Sequence, residues 1–388
     1  MRTINTTGKR RERSLASEIE GADIVITSYT IVRIDDEEWK QIPFNGLILD
    51  EAQNVKNPRT AIHRVLQGIE RNWTFAVSGT PVENSLGDLW SIMALAMPGL
   101  LPKWSLFNDK IRRPIENDHD VTALNHLHSL LSPNMMRRTK EEVATDLPDK
   151  IESVITIDLG TEHRRIYDQH LMAERARILS LTDDPSAKID ILAALTRLRQ
   201  LALDPGLVDA TYGHVGSAKT EYLATQLEQI IPSGHQALIF SQFTTFLTRI
   251  RDYLERRGIA TVQLDGSTTR RDEVIERFRS GEVPVFLISL KAGGTGLTLT
   301  EADYVYMMDP WWNPAAEAQA VDRAHRIGQT KKVNVYRLVG ADTIENKVVA
   351  LQERKRELVS TVVESAGNIE GGEILSGLDM SDLVDLLR

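Results

Sequence analysis

Two places in this 388-residue sequence carry residue types that could handle a polyphosphate: the adjacent carboxylates Asp50 and Glu51, and two arginines three positions apart, Arg323 and Arg326. The apolar run Leu47–Leu49 ahead of Asp50 reads as a strand, and acids at the C-terminal end of a parallel strand sit where α/β sheets bind ligands. Asp50 would hold a magnesium ion, usually through water, and Glu51 would polarise an attacking water, because phosphoryl transfer needs charge neutralisation and a positioned nucleophile. A bare Asp-Glu pair after a strand equally serves to cap the next helix. For the arginines, Tyr304–Met308 reads as a buried strand, Asn313-Pro314 as a helix start and Ala315–His325 as one helix. On that helix Arg323 and Arg326 share a face, with Gln319 four residues before Arg323 on the same side. Two guanidinium forks on one face suit a polyphosphate whose charge spreads over its oxygens as the terminal group leaves. The other reading is a solvated charged face paired with Asp322 or Glu317.

The elements that would position these groups alternate along the chain. Ile24–Ile26 reads as a buried strand, Trp73–Val77 as another that closes in Ser78-Gly79-Thr80-Pro81, and Leu86–Ala96 as a helix. From Pro98 to about Gly216 charged helical patterns take over, broken by prolines. An ordered strand–helix alternation then returns, with strands at Leu238–Ser241, Thr261–Leu264, Val285–Ser289, Tyr304–Met308 and Val333–Leu338, as parallel α/β units require. Between Ser289 and Leu299 lies a glycine-rich loop whose backbone amides can approach a phosphate closely. Asp342–Glu364 reads as one charged helix, followed by a loosely attached tail. Gly8-Lys9 is no phosphate loop, since Arg10 stands where Ser or Thr is needed and neither a strand nor the earlier glycine precedes it.

Composition excludes several chemistries. There is no cysteine, so disulfides, thiolate zinc sites and cysteine nucleophiles are ruled out. None of the nine histidines forms an H-x-x-x-H pair. No run reaches the length of a membrane span and the N-terminus lacks a secretory apolar core, so a cytoplasmic place is expected, nucleoid-associated in a bacterium. A net charge of -9 decides little about nucleic acid, because a binding groove needs only local positive charge.

The wording of these stretches is specific. D-P-W-W-N-P and D-R-A-H-R-I-G-Q between Asp309 and Gln329 closely resemble motif VI of the SWI/SNF-type ATPases of helicase superfamily two. Asp50-Glu51-Ala52-Gln53 resembles motif II, with Gln53 where many members carry histidine. Ser78-Gly79-Thr80-Pro81 resembles motif III, Phe240–Phe243 motif IV, and Ser289–Leu299 motif V, with Thr298 where asparagine is usual. The resemblance implies an α/β fold of two RecA-like lobes of the P-loop NTPase type. Their spans would be 1–98 for a first, N-terminally incomplete lobe, 99–216 for a helical insertion and connector, 217–345 for a second lobe, and 346–388 for a brace helix and tail. It implies ATP and Mg²⁺ as cofactors, Asp50 at the metal, and Asp50, Glu51, Arg323 and Arg326 as catalytic residues. Gln53, Gly294, Gly296 and Gln319 would border the nucleotide, and Ser78, Gly79 and Thr80 would couple it to the track. Ser241, Gln242, Lys291, Ala292 and Gly293 would face nucleic acid. The implied activity is ATP-driven translocation on double-stranded DNA, with a nucleoprotein or an RNA polymerase complex among the candidate tracks, RNA as a lesser one, and no membrane. Because the phosphate loop is missing from these residues, little or no hydrolysis is expected of them alone. A non-hydrolysing DNA- or partner-binding fragment is the alternative.

Overall fold

The computed structural model describes residues 2–6, 14–79, 85–118, 120–138, 140–179, 187–292 and 296–353. The expectations for Gly8-Lys9, Thr80, Gly293, Gly294 and the tail therefore fall outside the described residues. The chain divides into two compact units, one built on Met1–Met136 and the other on Arg137–Arg356. Among the described residues no helix is long and apolar enough to cross a membrane.

The first unit carries two small parallel sheets, β1 (Thr3–Asn5) with β2 (Ile24–Ile26), and β3 (Phe44–Leu49) with β4 (Arg71–Ala76). Parallel strands need a crossover, and between β3 and β4 it is the helix Ala61–Gly68, whose first turn is capped by the Thr60 hydroxyl accepting from His63 N–H. The Arg71 guanidinium closes the far end of that crossover by donating to the carbonyls of Leu66, Ile69 and Leu95 at 2.8, 2.7 and 3.0 Å. The helix Leu86–Ala96 forms where the sequence places it. Ser85 caps it, and the buried Glu116 carboxylate accepts the Leu86 N–H at 2.7 Å. The core lies on one face of β3–β4, where Leu49, Leu66, Ile92 and Leu95 are buried, while Ile48 and Phe75 on the other face are 63% and 64% exposed. β2 departs from expectation in the same way. Val25 packs on the core, but Ile24 and Ile26 are 42% and 51% exposed, because a two-stranded sheet has only one covered face.

The second unit is organised on a six-stranded parallel sheet in the order β5-β10-β9-β6-β8-β7. Its strands are β5 (Lys150–Ile157), β6 (Ala237–Ser241), β7 (Thr261–Leu264), β8 (Val285–Ser289), β9 (Tyr304–Met307) and β10 (Val333–Gly340). β6 and β8 are buried along their whole length, as continuous apolar runs with helices on both faces must be. One face carries a core around Phe240, Phe278, Phe286 and Val305, the other a core around Leu223, Ile239, Phe246 and Tyr306. A helical hairpin, Thr161–Leu179 and Ala187–Leu203, packs its own apolar seam of Ile166, Tyr167, Leu195 and Leu198. β5 is the strand that the helical reading of residues 99–216 missed. Its Ile, Val and Thr content suits a pleated edge, and it pairs in register with β10 from Lys150 opposite Val333 to Ile157 opposite Gly340. The last helix begins at Ile344, after Asp342 at φ 47°, and its expected continuation beyond residue 353 lies outside the described residues.

Candidate functional sites: a strand-end carboxylate pair and an arginine-bearing turn

β3 ends at Leu49 because the chain turns sharply at Glu51, which takes the left-handed conformation at φ 48° and ψ 51°. Two contacts hold that turn. The Tyr29 hydroxyl donates to the Asp50 carbonyl at 2.6 Å, and Ala52 N–H reaches Val77 O at 2.9 Å beyond the end of β4. The Asp50 carboxylate is exposed and accepts the Glu51 N–H at 3.0 Å. Glu51 is half-buried, and its Oε2 accepts from Gln53 Nε2 at 2.6 Å. Gln53 is itself buried, and its Oε1 accepts the Ser78 hydroxyl at 2.6 Å. Glu51, Gln53 and Ser78 thus form one hydrogen-bonded chain from the strand-end carboxylate to the loop after β4. Gly79, next to Ser78, is exposed with open space where a Cβ would stand. Burial, and then the negative charge of Asp50 and Glu51, pushes the Tyr29 phenol up to about 12. Tyr29 therefore stays a hydrogen-bond donor across the physiological range.

These donors fit a magnesium ion in one respect and limit it in another. Asp50 offers an exposed hard oxygen at a strand end, which suits Mg²⁺. Among the described residues no cluster of three or more His, Cys, Asp or Glu could hold a metal by itself. The ion's remaining ligands would have to be water and phosphate oxygen.

In the second unit the structure corrects the sequence reading at the arginines. The helix runs only from Pro314 to Val321 and caps at Asp322. Tertiary contacts end it: Arg323 O accepts the Leu299 N–H at 2.8 Å, and Gln329 Nε2, which also donates to Ala302 O at 2.9 Å, donates to Ala324 O at 3.0 Å, so the Arg323 and Ala324 carbonyls are drawn out of the helical ladder. Arg323 and Arg326 consequently stand on a sequence of turns and share no helix face. Arg323 is 7% exposed and donates to Leu297 O at 3.4 Å, whereas Arg326 is exposed and Gln319 is half-buried. The paired-face alternative fails for the arginines too, since Glu317 is taken by Arg337 at 3.2 Å and Asp322 pairs with Lys140.

Ser241 is also corrected. It is completely buried, and its hydroxyl donates to Asp309 Oδ1 at 2.5 Å, so it is spent inside the fold and presents nothing to a nucleic-acid backbone. Gln242 N–H points at the same carboxylate. In the glycine-rich loop Lys291 is exposed, Ala292 is buried with its N–H donated to the Ser289 hydroxyl at 3.2 Å, and Gly296 is exposed at φ 44°.

Asp309 is the hub of a buried network that residue spacing did not reveal. The Arg199 guanidinium, 3% exposed, lies 3.6 Å from Asp309 and 5.0, 5.6 and 5.7 Å from the ring centres of Trp312, Trp311 and Phe243. It also donates to Pro310 O at 2.5 Å. Burial raises the Asp309 carboxyl to about 6, against the pull of Arg199, Ser241 and Lys219. Glu317, fully buried, accepts from Trp311 N–H at 2.7 Å and from Gln352 Nε2 at 2.5 Å. Lys219, fully buried, donates to Met308 O and Leu338 O at 2.8 Å each and to Glu345 Oε2 at 2.6 Å. A lone arginine or lysine on a helix gives no spacing signal of this kind.

A strand-end acid pair, a hydroxyl loop hydrogen-bonded to it, and a parallel α/β unit with an arginine-bearing turn after its D-P-W-W-N-P segment are the features that the chain brings to a comparison with helicase-like proteins. The family profile of the SNF2-related domain matches residues 1–207, and that of the helicase conserved C-terminal domain matches residues 219–328. This chain belongs to the SNF2 family of helicase-like ATPases. It is 38% identical over 369 residues to the putative ATP-dependent helicase/translocase YwqA of Bacillus subtilis, covering 92% of this chain and 40% of that protein. It is 32% identical to the mouse chromodomain-helicase-DNA-binding protein 1-like, covering 99% of this chain and 44% of the relative. Among solved structures it resembles the Sulfolobus solfataricus SWI2/SNF2 ATPase core in complex with dsDNA, at 32% identity and a TM-score of 0.48, over 94% of this chain and 77% of that one. The chain spans 35–40% of the length of the curated bacterial relatives it matches.

Proposed function

We propose that the chain forms the core of a motor that couples ATP hydrolysis to movement along double-stranded DNA. The observation that carries this reading is the Glu51–Gln53–Ser78 chain, because it orients a strand-end carboxylate and links it to the loop after β4. Asp50 would hold Mg²⁺, which when bound neutralises phosphate charge. Glu51, with Oε2 fixed by Gln53, would orient the attacking water and take its proton. Arg323 and Arg326 would stabilise charge on the transferred group, with Gln53, Gly294, Gly296 and Gln319 bordering the nucleotide. Ser78, Gly79 and Thr80 would pass the change to the track. Lys291, the loop backbone at Ala292 and Gly293, and Gln242 would meet DNA phosphates. A nucleoprotein or polymerase complex as the natural track is a finer possibility of the same kind.

These 388 residues contain no G-x-x-x-x-G-K-[ST] sequence to cradle the β- and γ-phosphates, so alone they should turn ATP over slowly or not at all. The test is ATP hydrolysis by the chain with and without duplex DNA, alongside Glu51→Gln. Rapid DNA-stimulated turnover that Glu51→Gln abolishes would support the site and overturn the expected inactivity. Turnover insensitive to Glu51→Gln would overturn the site. Stimulation by RNA in place of duplex DNA would reassign the track.

A further inference from the structure

The turn that carries the arginines is held on one side by a segment far away in sequence. The short helix Lys140–Val143 follows directly on the division between the two units at Met136. Lys140 Nζ donates to His325 O at 3.0 Å and pairs with the Asp322 carboxylate. His325 is 6% exposed, and its Nε2 meets Pro148 O at 2.8 Å, which fixes the tautomer with hydrogen on that nitrogen since a carbonyl can only accept. Residues 140 and 148 therefore grip positions 322 and 325, which flank Arg323 and immediately precede Arg326. The regular helix has already ended at Val321, and beyond it backbone bonds back to Ala318, Ala320 and Val321 carry the chain on as far as His325. Leu299, Gln329 and this grip act on their geometry in addition to those bonds.

We propose that Lys140 is a positioning residue for Arg323 and Arg326, and that the 140–148 segment ties the start of the second unit to the arginine turn. The role rests on the reading of those arginines as nucleotide-directed groups. An ammonium suits the task because one compact cation satisfies both a backbone carbonyl and a carboxylate. Lys140 and Asp322 remain partly open to solvent, with 38% and 43% of their side-chain surfaces exposed. The pair therefore adds modestly to global stability while still fixing the local geometry. Any displacement of residues 140–148 would be delivered to the arginines without passing through the sheet.

The test reads the arginines directly and needs no hydrolysis. The full chain is treated with phenylglyoxal, and modification of each arginine is followed by peptide mass spectrometry. In the unaltered protein exposed Arg326 reacts and buried Arg323 is protected. Lys140→Met should raise the Arg323 rate about tenfold, the effect of losing one charge-assisted hydrogen bond on local opening. Lys140→Arg, which keeps the cation, should restore protection. Buried Arg199 should not change in either variant. An unchanged Arg323 rate in Lys140→Met overturns the proposal. A parallel rise at Arg199 also overturns it, because it would mean general loosening. A chain that protects Arg323 as described but fails the Glu51→Gln test would leave the tie standing and remove only its catalytic meaning.

Discussion

Replacing Lys219 with methionine probes a fully buried cation in the second unit. Methionine nearly matches lysine in volume, so the cavity contribution is small and the loss is electrostatic. Three acceptors lose their donor: Met308 O and Leu338 O at 2.8 Å, and Glu345 Oε2 at 2.6 Å. Lys219 and Glu345 have no exposed side-chain surface, so water cannot replace the ammonium without opening the core. Burial pushes the Lys219 ammonium below the ordinary lysine value and Glu345 pulls it back, which marks a pair whose members tolerate burial only together. Breaking such a pair by removing one partner costs about 3–5 kcal/mol. At about 2–4 °C per kcal/mol for a domain of this size, the second unit's melting transition should fall by roughly 6–20 °C. Glu345→Gln added to Lys219→Met removes the stranded charge and should recover part of the loss, giving a coupling of opposite sign to the single effects. The assay is urea and thermal unfolding of the full chain followed by circular dichroism. A single-variant loss below about 1 kcal/mol, or strictly additive effects in the pair, would refute this account of the network.

Two further outcomes follow from charges in the same unit. The folded Asp309 carboxyl is raised from 3.8 to about 6, so the folded state binds its proton more tightly than the unfolded chain. Its contribution is therefore fully present below pH about 4 and is lost as pH rises through about 6. The stability of the unaltered protein relative to Asp309→Asn should fall by up to about 3 kcal/mol across that window and stay level above it, and a flat difference in denaturation from pH 4 to 7.5 would remove the buried-acid argument. Lys291→Gln should weaken duplex-DNA affinity and reduce the slope of log affinity against log salt by about one; binding indifferent to both salt and substitution would take the 289–292 segment off the DNA surface.

What could be read in advance follows from which forces are local. Leu86–Ala96 was legible because Ser85 and the apolar spacing act within a few residues, and β6 and β8 because a doubly covered strand must be apolar throughout. The carboxylate pair at the end of β3 was legible for the same reason, as an acid pair directly after an apolar run. The end of the helix at Val321 was not, because Leu299 and Gln329 terminate it from outside and no capping residue announces it. β5 was hidden because its alternation sits among charges that pair across the sheet, such as Glu152 with Arg337. Ser241 was assigned to a surface because its neighbours spell a loop motif, yet a hydroxyl beside a buried carboxylate is drawn inward.

Ser241, which was misread, and the buried contacts that residue spacing did not reveal share a physical cause. Each lies where a polar group has been taken out of water and satisfied by a partner distant in sequence: Ser241 and Arg199 on Asp309, Trp311 on Glu317, Lys140 on the 322–325 turn. Buried charges are weak contributors to net stability, and well-packed apolar groups in their place are often neutral or better. What such groups add here is direction, since an apolar core tolerates small slips that a carboxylate with Ser241, Gln242 and Arg199 around it does not. The segment from Asp309 to Trp312 is thereby fixed at its start, by groups from β6 and the helix Ala187–Leu203, and the turn at Asp322–Gln329 is fixed at its end, by Lys140 and Leu299. Between these anchors the short helix Pro314–Val321 is tied inward by Glu317, bonded to Arg337 and Gln352, and by Ala320 and Val321 packed in the core.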